Sequence, residues 1–274
     1  MTDALRGLLN KYFIKQPRLR RFVTNLLEGD RDVTVRIMGE PIRINTIKEH
    51  GYLRASRSMS SNSFLGDEIP VLSNIIYLLN HADAFVDAGS NVGVYCAVLG
   101  KYRRMHPISM YAFEPNPDTY LRLVETVKPI GVETYNCALS DHEGILDFVS
   151  GTVSHIFATL DNESDYTLRG APVEVACKRL DSLPIKGNRI ILKIDVEGHE
   201  WPVLRGASSL FDAGRIYACY VDGFKNPEIP DYLTSKGFTL FDGRSLEERP
   251  KGDCYSLLAV KSDKQSAPAK ASKL

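Results

Sequence analysis

From Ala84 onward, short apolar segments alternate with polar turns and helix-length stretches, and nothing else in the 274-residue chain constrains its fold as strongly. Residues 84–86 precede a glycine-bearing turn and a helix over 92–105. Residues 110–113 precede a helix over 117–127, with Asn116 suited to cap it and Pro117 at its favoured first position. Further strands fall at 132–136, 190–194 and 216–221, the last two separated by a helix over 202–211. Parallel strands need long crossovers, so this order predicts an α/β fold: a mostly parallel sheet with helices on both faces. Residues 237–241 and 254–260, joined by a turn-rich connection, read as an antiparallel closing pair.

Ahead of this region lies a helical and hairpin extension, residues 1–67. Residues 1–27 place leucines and aromatics among six Lys and Arg with one acid, Asp3. Such a basic amphipathic helix packs on its own domain or contacts an anionic bilayer surface peripherally. Alternating Val33, Val35, Ile37 and Ile42, Ile44 around Met38-Gly39-Glu40-Pro41 predict a hairpin. Ser- and Arg-rich residues 52–66 read as a polar loop before a helix over 69–79. At the other end, residues 261–274 have the composition of a disordered tail. The tail finishes Ser272-Lys273-Leu274, a peroxisomal address if the source is eukaryotic.

Composition narrows the function classes. Lys+Arg and Asp+Glu both number 34, which removes the basic field of a nucleic-acid coat. Five cysteines without a C-x-x-C pair argue against structural zinc or a disulfide framework and for a reducing, cytoplasmic setting. No apolar run reaches the ~20 residues of a membrane span.

Three constellations carry chemistry. Asp87-Ala88-Gly89-Ser90-Asn91-Val92-Gly93 joins a strand to a helix, where glycine lets backbone approach a ligand. Its G-x-x-x-G spacing is neither the dinucleotide fingerprint nor a P-loop, and Asp87 suits a ligand with an ammonium and no phosphates. Glu114, with Pro115, ends the next strand 21 residues beyond Gly93, the place from which an acid accepts hydrogen bonds from ribose hydroxyls. The third is Leu192-Lys193-Ile194-Asp195-Val196-Glu197-Gly198-His199-Glu200. A strand continued to Glu197 would put Lys193, Asp195 and Glu197 on one face and Leu192, Ile194 and Val196 on the other. Three charges on one face of a central strand call for partners or a cleft.

These motifs, together with Phe113-Glu114-Pro115-Asn116-Pro117, Asn136-Cys137-Ala138-Leu139-Ser140-Asp141 and Leu204-x-Gly206-Ala207, resemble the FkbM-type methyltransferases over about residues 68–222. The resemblance implies a Rossmann-like class I fold with a seven-stranded sheet, making residues 68–260 an S-adenosylmethionine-binding domain. It implies methyl transfer to a hydroxyl of a sugar, glycan or secondary metabolite, with S-adenosylhomocysteine as product. By position, Asp87, Gly89, Ser90, Asn91 and Gly93 would form the cofactor loop, and Glu114 and Pro115 would lie at the ribose. Cys137 and Ala138 would flank adenine, and Asp195 would sit beside the methyl donor. The fifth strand departs from the family by ending in Asp222 where Glu is usual.

His199 is the expected base for the acceptor hydroxyl, with Asp195 or Glu197 orienting it or binding that hydroxyl. Asp195 and Asp222 with a diol acceptor would be a ligand set for Mg²⁺, but acids at strand ends are common without metal, and none is expected. Two other readings compete: a catalytically silent cofactor-binding module, and, against the glycine spacing, a nicotinamide-dependent oxidoreductase.

Overall fold

The computed structural model describes residues 17–57, 63–102, 107–148, 173–223, 226–247 and 254–261. The chain opens with helix α1 (Pro17–Glu28) and the hairpin β1 (Asp32–Ile37) and β2 (Glu40–Asn45). Helices α2 (His50–Arg57) and α3 (Ser63–Leu79) follow, then β3 (Ala84–Ala88), α4 (Val94–Gly100), β4 (Ser109–Phe113), α5 (Pro117–Val127) and β5 (Glu133–Tyr135). A three-stranded insert comprises β6 (Ala138–Leu139), β7 (Gly144–Phe148) and β8 (Val173–Lys178). The chain then forms β9 (Ile190–Ile194), α6 (Glu200–Gly206), α7 (Ser208–Asp212), β10 (Ile216–Val221), α8 (Glu228–Ser235), β11 (Phe238–Asp242) and β12 (Leu257–Lys261).

The main sheet has seven strands in the order β11-β12-β10-β9-β3-β4-β5. Its five strands from β10 to β5 are parallel, while β12 runs antiparallel to both β10 and β11. This meets the expectation of a mostly parallel sheet with an antiparallel closing pair. From β3 the chain builds outward through β4 and β5, then returns to lay β9 on the other side of β3. The strand order therefore reverses between β3 and β9, and in an open α/β sheet ligands bind at the carboxyl edge of such a reversal.

The period of two sorts these strands between two apolar layers. Ala84, Val86 and Ala88 of β3 and Ile190, Leu192 and Ile194 of β9 face one layer, together with Val196, α6, α7 and α8. Phe85 and Ile191 face the other, with α3, α4, α5 and the hairpin residues Ile37, Ile42 and Ile44. The hairpin is also pinned by polar contacts: Arg43 donates its backbone N–H to Thr126 Oγ1 at 2.9 Å, and the buried Arg122 guanidinium of α5 reaches Glu49 Oε1 at 2.7 Å.

Several sequence expectations are corrected. Where residues 52–66 are described they are helical, in α2 up to Arg57 and in α3 from Ser63, and Leu53 and Ala55 give α2 a buried face that its Ser and Arg content hides. The helix expected from Val92 begins at Val94, since Asn91 and Gly93 both have positive φ. The helix expected at 202–211 is two, α6 and α7, broken at Ala207, and its first turn tolerates Pro202. Lys261, placed in the tail, pairs with Phe238 in register. On α1, Phe22, Leu26 and Leu27 are 65%, 73% and 74% exposed, so among the described residues this face does not pack on the domain. The segment before Pro17, residues 149–172 and Ser272-Lys273-Leu274 lie outside the described residues. All five cysteines are free thiols. Among the described residues, no helix is long and apolar enough to cross a membrane.

Candidate active site

The carboxyl edge is a staircase of backbone hydrogen bonds between successive strand tips. Gly89 and Ser90 donate their N–H groups to Phe113 O, Asp195 donates to Ala88 O at 3.0 Å, and Asp222 donates to Ile194 O at 2.9 Å. Gly89, at φ +78°, sits so close to β9 that a Cβ would lie 1.9 Å from Asp195 O. Only glycine allows these two tips to meet.

Residues read from the sequence as one cofactor loop divide into two groups. Asp87 points inward: its Oδ1 receives the Lys193 ammonium at 3.1 Å, and Cys96 Sγ lies 3.7 Å from its Oδ2. Ser90 uses its hydroxyl on the framework, donating to Asp87 O and accepting from the Phe113 N–H. Gly93 is a packing glycine, since a Cβ there would strike Leu123 and Val127 of α5 at 2.7 Å. Gly89 and Asn91 face outward as half-buried residues. Asn91, in the left-handed region at φ 49°, presents a buried Oδ1 with no hydrogen-bond partner among the described residues.

Glu114 is buried beneath this loop and accepts N–H groups from Asn91 at 3.0 Å and Asn116 at 2.9 Å. Burial pushes its carboxyl up to about 7 despite those two donors. Asn136 spans Glu114 O and Pro115 O with its side-chain amide, so Pro115 is fixed through its carbonyl. Cys137 and Ala138 are buried beside it, and burial pushes the Cys137 thiol up to about 11.

The centre of the cleft is acidic. Lys193, only 2% exposed, bridges Asp87 Oδ1 and Asp195 Oδ2 at 3.1 and 3.3 Å and lies 4.6 Å from the Tyr95 ring centroid. Burial opposes its charge, but the two carboxylates outweigh that and hold its pKa above the ordinary lysine range. Strand β9 ends at Ile194, so the alternation does not run on to Glu197. Glu197, at φ 52°, leaves the strand and stands at the rim with an exposed side chain, yet desolvation of its carboxyl, reinforced by the charges of Asp195 and Asp222, pushes it up to about 7. Asp222 accepts the Tyr220 hydroxyl at 2.5 Å. Glu200 accepts the Gly198 N–H at 2.7 Å, and burial pushes its carboxyl up to about 7. Among the described residues, no group of three or more His, Cys, Asp or Glu side chains is arranged to hold a metal ion.

His199 is not brought to these carboxylates. It is buried, with Nε2 3.0 Å from Ser140 Oγ, and Asp141 and His142 are among the groups that act on it. Burial lowers its pKa to about 4, so it is neutral at physiological pH. Both ends of α6 meet the same residue, since a Cβ on Gly206 would lie 1.9 Å from Ser140 O. The His199 and Gly206 motifs therefore seat α6 against the end of β6. We expect His199→Ala to cost about 2 kcal/mol through the lost buried hydrogen bond and contacts. A native pKa of about 4 against about 6.5 unfolded means this histidine's contribution is complete above pH 6.5 and declines as pH falls toward 4. Denaturant melts from pH 7.5 to 4.5 should show the gap between wild type and variant narrowing with acid.

The structure also brings in residues that motif reading missed. Tyr95 lies two positions beyond Gly93, and Tyr220 shares the face of Asp222 by the strand period, so both were within reach of sequence reasoning. Tyr52 comes from the N-terminal extension and Glu68 from α3 at the very start of the methyltransferase domain, and only tertiary packing puts them at the cleft.

A family model described as the methyltransferase FkbM domain matches residues 87–240, more than half of the chain. The chain belongs to that family. A curated relative, the hexuronic acid methyltransferase AglP of Haloferax volcanii, is 29% identical over 133 residues, covering 46% of this chain. The match spans 51% of AglP, so the chain aligns with about half the length of that relative. Among solved structures, the methyltransferase FkbM of Methylobacillus flagellatus KT is 13% identical with a TM-score of 0.46, covering 65% of this chain and 43% of that one. A TehB-like SAM-dependent methyltransferase of Corynebacterium glutamicum is 12% identical with a TM-score of 0.41, covering 78% and 98%. The motifs of the family fall on the strand tips around the β3/β9 reversal of the seven-stranded, mostly parallel sheet, a Rossmann-like class I arrangement.

Proposed function

We propose that this FkbM-family chain is an S-adenosylmethionine-dependent O-methyltransferase whose acceptor is a sugar hydroxyl. The observation that carries the reading is the acidic carboxyl edge at the β3/β9 reversal. Its residues fit the cofactor: the orphaned Asn91 Oδ1 and the buried Glu114 carboxylate offer acceptors for hydrogen-bond donors, and the cleft acids suit a cation. S-adenosylmethionine, when bound, supplies an electrophilic methyl on a positively charged sulfur. Glu114 would hold the ribose of the nucleoside and Asn91 the amino-acid end, while Asp195 and Asp222 would balance the sulfur's charge. Burying that charge among fixed carboxylates positions the reacting groups and keeps water out. Support for a sugar acceptor comes from the AglP relationship. Five free thiols suit a reducing, cytoplasmic setting.

The test is a screen of neutral, amino and uronic glycosides with S-adenosylmethionine, read by a mass gain of one methyl and by S-adenosylhomocysteine formation. One methyl gained on at least one glycoside is expected. Cofactor binding without turnover across all three classes would favour the silent module, and NADH binding would favour the oxidoreductase.

A further inference from the structure

Glu68 lies on α3, outside the residues matched by the family model and outside every motif, yet its carboxyl belongs to the cleft. Tyr95 of α4 donates its hydroxyl to Glu68 Oε2, and the face of the same ring carries the Lys193 ammonium. One aromatic side chain thus links Glu68 to the Lys193–Asp195 pair. The charged and titratable groups around it are Tyr52 of α2, Tyr95, Lys193, Asp195, Tyr220 and Asp222. Glu68 Oε1 accepts no hydrogen bond, and the carboxyl makes no ion pair, among the described residues.

The other acids are engaged or exposed. Asp87 and Asp195 share Lys193, Asp222 holds the Tyr220 hydroxyl, Glu200 holds the Gly198 N–H, and Glu114 holds two backbone N–H groups. Glu197 lies past the end of β9 with its side chain exposed at the rim, so although desolvation raises its carboxyl to about 7 it has no neighbour such as Tyr95 to fix one oxygen among the described residues.

We propose that Glu68 is the catalytic base that takes the proton of the acceptor hydroxyl, an inference that rests on the methyl-transfer reading above. The acceptor oxygen bonds to the methyl carbon as the carbon–sulfur bond breaks. The hydroxyl proton passes to the Glu68 carboxylate, and S-adenosylhomocysteine leaves as a neutral thioether. Tyr95 holds one carboxylate oxygen and leaves the other for the incoming hydroxyl. Burial and the charge of Asp195 push the Glu68 carboxyl up to about 7, which matches it to proton transfer near neutral pH.

Proton release on binding tests this without an acceptor. Calorimetry at pH 7 in two buffers of different ionisation enthalpy compares S-adenosylmethionine, with its charged sulfur, against S-adenosylhomocysteine, with a neutral one. On this assignment the Glu68 carboxyl is partly protonated at this pH and the charged sulfur drives its ionisation, so S-adenosylmethionine should release more protons than S-adenosylhomocysteine. Glu68→Gln should bind S-adenosylhomocysteine as the wild type does and lose that difference. With any glycoside that turns over, its kcat should fall about 10²-fold and the acid limb of the pH profile near 7 should vanish. A difference that persists in Glu68→Gln, one removed instead by Glu197→Gln, or an unchanged kcat would overturn the assignment and leave methyl transfer standing. Failure of the wild type to bind either ligand would overturn the methyl-transfer reading, and the role of Glu68 with it.

Discussion

Gly89→Ala is expected to abolish cofactor binding and destabilise the fold by about 3 kcal/mol. An added Cβ would lie 1.9 Å from Asp195 O and 2.9 Å from its carbonyl carbon, both backbone atoms that no rotamer change can move aside. Alanine at φ +78° adds about 1 kcal/mol of left-handed strain, and forcing a methyl into closed packing adds about 1–3 kcal/mol. Relief requires the tips of β3 and β9 to part, which breaks the Asp195 N–H to Ala88 O bond and moves Asn91 away from Glu114. Affinity for S-adenosylhomocysteine should fall more than about 100-fold, the equivalent of some 2.7 kcal/mol. Urea melts and calorimetry check both parts. A variant as stable as the wild type with unchanged affinity would show that the close approach of the two tips is dispensable.

Lys193→Met should cost about 3–5 kcal/mol, because it leaves the wholly buried Asp87 without its cation. The pair need not be a net source of stability for this to hold; the cost arises from orphaning one member. Lys193→Met combined with Asp87→Asn should therefore be more stable than Lys193→Met alone, a non-additivity that double-mutant melts read directly. The single variant's deficit should also shrink as pH falls, since a proton on Asp87 removes the unpaired charge. Independent, additive costs would mean that Lys193 serves Asp195 and the Tyr95 ring more than Asp87.

The sheet was legible because each central strand is short, apolar and followed by its own crossover, a pattern few other folds produce. Asn116-Pro117 marked the start of α5 to the residue, with Asn116 Oδ1 accepting from the Asp118 and Thr119 N–H groups. Boundaries failed where backbone geometry overrode side-chain pattern, as at Asn91, Gly93 and Glu197, whose positive φ no apolar periodicity reveals. The carboxylates at the strand tips were also visible in sequence. What could not be read was direction. Asp87 turns inward to Lys193 and His199 turns toward Ser140, choices fixed by neighbours on other elements. Glu68 was invisible for the opposite reason: an ordinary helix acid becomes part of the cleft only when α3 packs beside α4.

The central claim is that this acidic edge is a slot for a cationic nucleoside. Calorimetric titration of the wild type with S-adenosylhomocysteine at pH 8 and pH 6 tests it most directly. The ligand's ammonium and ribose hydroxyls favour ionised carboxylates, and Glu114 and Glu200 are held up to about 7 in the free protein. Binding should therefore expel protons, and affinity should rise with pH and level off above 7. One such group gives an affinity about tenfold higher at pH 8 than at pH 6, with one ligand per chain. Absence of binding at both pH values, or tighter binding at pH 6, would contradict the account.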